Sequence, residues 1–250
     1  MTSFTPVGPH DQTLLERVRP TDWPTPTPPD RYDLVVLGGG TGGLVSAAIG
    51  VALGARVALV ERSLLGGDCL NLGCVPSKGV LSAASAWAGA REAASRFHGP
   101  RAEGEGDFAA VMERMRRLRA EIAKVDSAER FRDLGVDIYF GSGTFVARDA
   151  LEVDGVRLPF RRCILATGAR PVMPPIPGLL ESDPLTNETI FDLEELPEEL
   201  VVLGAGAIGS ELSLAFARFG SRVTVVDQAD RPLFREEPDA SAAALAALEG

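Results

Sequence analysis

Leu34-Val-Val-Leu-Gly-Gly-Gly-Thr-Gly-Gly-Leu44, followed by a run of small residues to Leu53 and then Arg56-Val-Ala-Leu-Val-Glu61, decides the fold. Four apolar residues bounded by glycines are too short for a helix and read as a buried strand. The glycines make a turn, Leu44–Leu53 reads as a helix, and Arg56–Val60 reads as a second strand ending on Glu61. This is a βαβ unit of about 30 residues. Gly38, Gly40 and Gly43 fit the spacing GxGxxG, with Gly42 beside them. Such a turn must be tight, must let the backbone approach a pyrophosphate, and must seat the helix close to the strand. The helix N-terminus then offers unpaired N–H groups and its positive dipole end to an anion. Glu61 lies 23 positions after Gly38 (61 − 38), where a carboxylate accepts from ribose hydroxyls. The combination points to a dinucleotide.

The device recurs. Leu200–Leu203, Gly204-Ala-Gly-Ala-Ile-Gly209 and Arg222–Val226 repeat strand, turn, helix and strand, and Asp227 again follows the first glycine by 23 (227 − 204). Gly204, Gly206, Gly209 and Asp227 are therefore candidates for a second nucleotide site. Asp227 suits a ribose 2′-OH and repels a 2′-phosphate, and Gln228 brings no positive charge. NADH is favoured over NADPH on this ground, with Arg222 and Arg231 near enough to contribute to the other choice.

Between these units Ser77 to about Arg96 and Phe108 to Leu134 read as two long packing helices, the second carrying Phe108, Val111, Met112, Met115, Leu118, Ile122 and Val125 at helical spacing. Val136–Phe140, Thr144–Ala147, Leu151–Val153, Val156–Leu158 and Cys163–Ala166 read as short strands, with Asp154-Gly155 marking a hairpin. The expected fold class is α/β: a first domain over 31–170 with a small β-meander insertion, a Pro-rich connector over 171–198, and the beginning of a second nucleotide domain over 199–250. About 50 residues after Leu200 are too few to close such a domain, so a longer parent protein is expected. Residues 1–30 hold seven prolines and read as an extended arm, with one short helical turn at Leu14, Leu15 and Val18.

The net charge of −10 argues against nucleic acid as a partner. Neither a leader peptide nor an apolar run of membrane-spanning length is read, and three cysteines make no disulfide framework. A cytoplasmic, reducing setting fits. His10 and His98 read as surface histidines, and Cys163 as a small core residue within a strand.

Cys69 and Cys74 lie in Gly66-Gly-Asp-Cys-Leu-Asn-Leu-Gly-Cys-Val-Pro-Ser-Lys78. Four residues separate them, unlike the CxxC of zinc ribbons, and no second ligand pair exists, so no metal site is expected. Pro76 fits an early helix position, which places Cys74 near a helix N-terminus where a thiolate is favoured. The surrounding glycines suit close backbone approach to a ligand, and Gly67 and Asp68 join the cofactor-binding candidates. Two buried structural cysteines are the plainer alternative.

The order of the first GxGxxG, GGxCxNxGCxPSK, ATGxRP at Ala166–Pro171 and the second GxGxxG resembles the class I pyridine nucleotide-disulfide oxidoreductases. The resemblance runs from about Tyr32 onward. The Gly-Gly-Asp-Cys variant, Asp126-Ser-Ala-Glu-Arg-Phe131 and Phe216-Ala-Arg-Phe-Gly-Ser221 look most like the mercuric reductase and dihydrolipoamide dehydrogenase branch. It implies a Rossmann-like FAD-binding domain and the start of an NAD(P)-binding one. Cys74 would then be the thiol contacting the flavin and Cys69 the one that attacks the substrate. Lys78 and Glu211 would be the ion pair near the reactive flavin nitrogen, with Thr167 and Gly168 closing over the FAD and Gly143 near its adenine. The implied substrate is a small-molecule or protein disulfide, or mercuric ion, and the implied full-length form is a homodimer. Such proteins take a His-Glu base from a C-terminal domain, and neither histidine here has that context. A flavin-binding module without turnover, or a quinone or oxygen reductase with a regulatory dithiol, are the competing readings.

Overall fold

The computed structural model describes residues 4, 6, 8–104 and 106–249. The chain divides into two units, residues 4–76 with 116–192 and residues 77–115 with 193–249. The remaining residues of the expected N-terminal arm (1–3, 5 and 7) and Gly250 lie outside the described residues.

In chain order, α1 (Pro9–Val18), β1 (Tyr32–Leu37), α2 (Thr41–Ala52), β2 (Val57–Glu61) and α3 (Gly67–Asn71) precede the long α4 (Cys74–Phe97). They are followed by α5 (Phe108–Ile122), α6 (Ala128–Asp133), β3 (Val136–Phe140), β4 (Gly143–Ala147), β5 (Ala150–Val153) and β6 (Val156–Leu165). The chain continues with β7 (Glu199–Leu203), α7 (Ala207–Phe219), β8 (Arg222–Val226) and α8 (Pro238–Glu249). The class is α/β, with a parallel-rich sheet of the Rossmann-like kind.

The first unit is built on a six-stranded sheet in the order β3-β2-β1-β6-β5-β4. The first four strands run parallel, with Leu34 opposite Val57 and Leu37 opposite Leu165. Alternation along the strands divides the core in two. Val36, Leu59, Val57 and Ile138 pack with Leu44 and Ala47 of α2 and with Leu14 and Val18 of α1. Val35, Ala58, Val60 and Tyr139 point the other way, onto Leu151, Val153 and Leu158 of the meander. The expected hairpin closes at Asp154-Gly155, whose φ values of 47° and 81° are both left-handed, as a type I′ turn requires.

Three expectations about elements are corrected. The helix expected over Phe108–Leu134 is two helices. The last turns of α5 tighten into i→i+3 bonds at Lys124, Val125 and Asp126, and Ser127 then caps α6 by accepting from the Arg130 N–H at 3.3 Å. Ile122 and Val125 are accordingly 42% and 56% exposed. The two strands expected at Val156–Leu158 and Cys163–Ala166 are one. Its first half pairs antiparallel with β5 and its second half parallel with β1, and Pro159, which has no N–H to donate, falls at the handover. The single turn expected near Leu14 is a ten-residue helix with Pro9 in its first turn.

In the second unit β7 and β8 pair in parallel, with Leu200 opposite Val223. α7 packs on them, and its Phe216 and Phe219 meet Phe108 at 5.9 and 5.5 Å between ring centroids, while Trp87 stands edge-on to Phe219 at 5.0 Å. Among the described residues no helix is long and apolar enough to cross a membrane.

The glycine turn sets the packing of β1 on α2. A Cβ at Gly43 would lie 1.8 Å from the Gly38 carbonyl oxygen, whereas one at Gly42 would meet nothing within 4 Å. Gly43→Ala is expected to destabilise the chain by about 3 kcal/mol or more through overpacking. Gly42→Ala, in the open first turn of α2, is expected to stabilise it by about 0.5–1 kcal/mol. Denaturant titration of the two variants checks both signs.

Candidate functional site

Gly38 leaves β1 with φ +109° and donates its N–H to the Val60 carbonyl at 2.8 Å. Gly40 then caps α2, so the first N–H groups of that helix have no partner within it. Glu61, at the end of β2 and 8% exposed, accepts from the Gly39 N–H at 2.6 Å and the Ser63 N–H at 2.5 Å. The acid expected to hold a ribose is thus itself held by the glycine turn. In the second unit Gly204 has φ +108° and donates to the Val226 carbonyl at 2.7 Å. Asp227 accepts from the Ala205 N–H at 2.6 Å and the Ala229 N–H at 2.7 Å. Main-chain hydrogen bonds, that from Ala229 foremost, hold its carboxyl below the usual carboxylate range.

A cavity of about 460 Å³ in the first unit brings most of the expected residues together: Gly38, Gly40, Gly42, Glu61, Gly67, Asp68, Cys69, Gly143, Thr167 and Gly168 all line it. Gly43 does not, being buried against the turn. Neither His10 nor His98 is among the lining residues. Gly204, Gly206, Gly209 and Asp227 stand in the second unit, at the start of α7 and the end of β8.

Cys69 lies on the short α3 and Cys74 opens α4. Both are free thiols, Cys74 exposed and Cys69 half-buried. Cys74 and the Thr41 hydroxyl are the side chains that act most directly on the Cys69 thiol. Burial first, and then the contact with Cys74, push the Cys69 thiol up, while Thr41 pulls it down. Asp126 is close enough to raise Cys69 further, and burial raises its own carboxyl as well. Cys163, mid-β6, is half-buried against the meander core, and burial pushes its thiol up. Lys78 donates to both carboxylate oxygens of Glu211, at 2.6 and 2.8 Å, within the second unit; the side chains are 62% and 41% exposed. Among the described residues no cluster of three or more His, Cys, Asp or Glu is placed to hold a metal ion.

Residues 32–250 match the family described as pyridine nucleotide-disulphide oxidoreductase. The chain belongs to this family. Relatives of the chain include the mercuric reductase of Streptomyces lividans, 41% identical over 221 residues, covering 84% of the chain and 45% of the relative. The mercuric reductase of Lysinibacillus sphaericus is 34% identical, covering 85% and 39%. The dihydrolipoyl dehydrogenase of Bacillus subtilis is 36% identical, covering 84% and 47%. A solved structure of the HOCl-induced flavoprotein disulfide reductase RclA from Escherichia coli superposes with a TM-score of 0.72 at 29% identity, covering 87% of this chain and 47% of that one. The chain therefore spans about half the length, or less, of these proteins.

Three residues at the site have roles that no motif spacing marks. Thr41 occupies the variable position of the glycine turn, and only the approach of α3 gives its hydroxyl a role. Asn71 lines the cavity, and its Oδ1 is buried without a hydrogen-bond partner. Asp126 follows α5, 57 residues after Cys69 (126 − 69), with nothing in the spacing to connect them. The opposing influences on Cys69 give a signed expectation. Thr41→Val should move the pH midpoint of Cys69 alkylation upward. Cys74→Ala should move it downward but leave it above a free thiol, because burial remains. Iodoacetamide rates against pH, resolved by peptide mass, measure both.

Proposed function

We propose that this chain forms the FAD-binding part, and the beginning of the NADH-binding part, of a dithiol flavoprotein reductase. One arrangement carries the reading: the Cys69 thiol, in reach of Cys74, lines the same cavity as the glycine turn and Glu61. The cavity suits FAD on its own terms. It offers the N-terminus of α2 to a pyrophosphate, an anchored carboxylate to a ribose, and the partnerless buried Asn71 Oδ1 to a donor. Gly38, Gly40, Gly42 and Gly43 would shape the pyrophosphate site, with Gly67 and Asp68 beside it, Gly143 near the adenine, and Thr167 and Gly168 closing over the ligand. When bound, FAD would supply the two-electron link between a nicotinamide and the dithiol.

The chain's own chemistry is thiol–disulfide exchange. A Cys69 thiolate, favoured by the Thr41 hydroxyl, attacks one sulfur of a substrate disulfide and expels the other as a thiolate. Cys74 then attacks the mixed disulfide, forming the Cys69–Cys74 bond and releasing the second thiol, so two electrons pass to the substrate. The same soft thiolate pair would take mercuric ion as an alternative substrate. Lys78 and Glu211 are assigned to the neighbourhood of the flavin. Gly204, Gly206, Gly209 and Asp227 are assigned to NADH: Arg222 is already paired with Glu199, and Arg231 donates to the Phe234 and Glu236 carbonyls. The full-length form is read as a cytoplasmic homodimer whose general base comes from a second subunit.

The purified chain is expected to bind FAD and, once reduced, to show a long-wavelength thiolate-to-flavin absorbance. Cys74→Ser should abolish that absorbance with FAD retained, and Cys69→Ser should keep it. An absorbance that survives in Cys74→Ser overturns the assignment. Bound FAD without oxidation of NADH would fit the second reading, a flavin-binding module without turnover.

A further inference from the structure

The residues before the family match, which begins at position 32, grip the segment that carries Cys69. Asp11 of α1 and Arg119 of α5 are both 0% exposed and meet at 2.7 Å. The other arm of the Arg119 fork donates to the Asn71 carbonyl at 2.8 Å, at the end of α3 and two residues after Cys69. Asn71 in turn donates from Nδ2 to the Leu65 and Gly67 carbonyls at 3.0 and 2.8 Å, tying the end of α3 to the backbone on either side of Gly66. Two further anchors come from the same stretch. The Val18 carbonyl accepts from the Leu65 N–H at 3.2 Å, and Arg19 donates to the Ser63 carbonyl at 2.6 Å. Segment 63–71 is thus held at Ser63, Leu65 and Asn71.

A buried ion pair is a poor source of stability compared with apolar packing, because both charges are stripped of water. What a guanidinium adds is geometry: a planar fork that fixes two acceptors relative to each other. Arg119 fixes the Asp11 carboxylate against the α3 backbone, its guanidinium 5.0 Å from the Phe4 ring centroid and Arg116 beside the same carboxylate at 3.8 Å. We propose that the N-terminal segment is a clamp for the dithiol, in which Asp11 and Arg119 are positioning residues that hold the α3 backbone and, through it, the Cys69 sulfur against Thr41 and Cys74.

The inference rests on reading Cys69 and Cys74 as the redox pair, but it is tested on the thiols themselves. In the full chain Asp11→Asn should speed iodoacetamide alkylation of Cys69 by about tenfold, through local opening of α3. Cys163, in the sheet, should keep its rate, as it should in the surface control Arg117→Gln. An unchanged Cys69 rate in folded Asp11→Asn overturns the proposal, as does acceleration of Cys69 and Cys163 together in step with a fall in Tm. Should Asp11→Asn not fold, Arg19→Gln, which removes the Ser63 anchor together with the stacking of Arg19 on the Phe140 ring, decides by the same ratio of Cys69 to Cys163 rates. A chain that binds no flavin would sink the reductase reading and leave the clamp standing.

Discussion

Two stretches of backbone touch with no side chain between them, and the site follows from that contact. Gly66 donates its N–H to the Gly39 carbonyl at 2.9 Å, and Gly40 and Gly66 form a parallel bridge. A Cβ on Gly67 would come within 2.6 Å of the Gly40 Cα. The glycine turn is therefore needed twice: once to seat α2 on β1, and once to admit the dithiol segment. Only this closeness puts Cys69 within reach of Thr41, in the first turn of the helix whose N-terminus faces the cavity. The glycines beside the cysteines, read in the sequence as room for a ligand, serve here as room for another backbone.

The two glycine-turn units share more than a motif. Gly38 and Gly204 adopt φ values one degree apart, and Gly43 and Gly209 would each strike the carbonyl of their own first glycine if they bore a methyl group. Gly40 and Gly206 cap their helices with nearly the same φ and ψ. In each unit an acid at the end of the second strand, Glu61 as the last residue of β2 and Asp227 directly after β8, hooks the second residue of the turn. A 23-residue interval between glycine and acid is thus a structural distance, the path through one helix and back along one strand to the same point.

Much of this was legible because it is local. Strand, turn, helix and strand follow from apolar runs and glycines within about 30 residues, and the hairpin from an Asp-Gly pair. The break after Ile122 was missed because helical spacing continues through Val125, while the decisive event is a cap by Ser127. The continuity of β6 was missed because Pro159 reads as a terminator, and the strand survives only by changing partners there. Arg116 and Arg119 were least legible of all. They stand on the buried stripe of α5 among Met112 and Met115, and the carboxylate that tolerates them there is Asp11, more than a hundred residues earlier in the chain.

The anchoring of the two acids bears on how such sites tell ligands apart. A carboxylate on a free side chain turns away when an unwelcome group approaches, and its discrimination is then soft. Glu61 and Asp227 are each tethered at both oxygens by main-chain N–H groups, so neither can step aside. Under the proposed assignment to ribose, a hydroxyl would find lone pairs already aimed, and a phosphate in the same place would meet a negative charge with nowhere to go. Selectivity of this kind is written into the stiffness of the turn rather than into the identity of the acid alone.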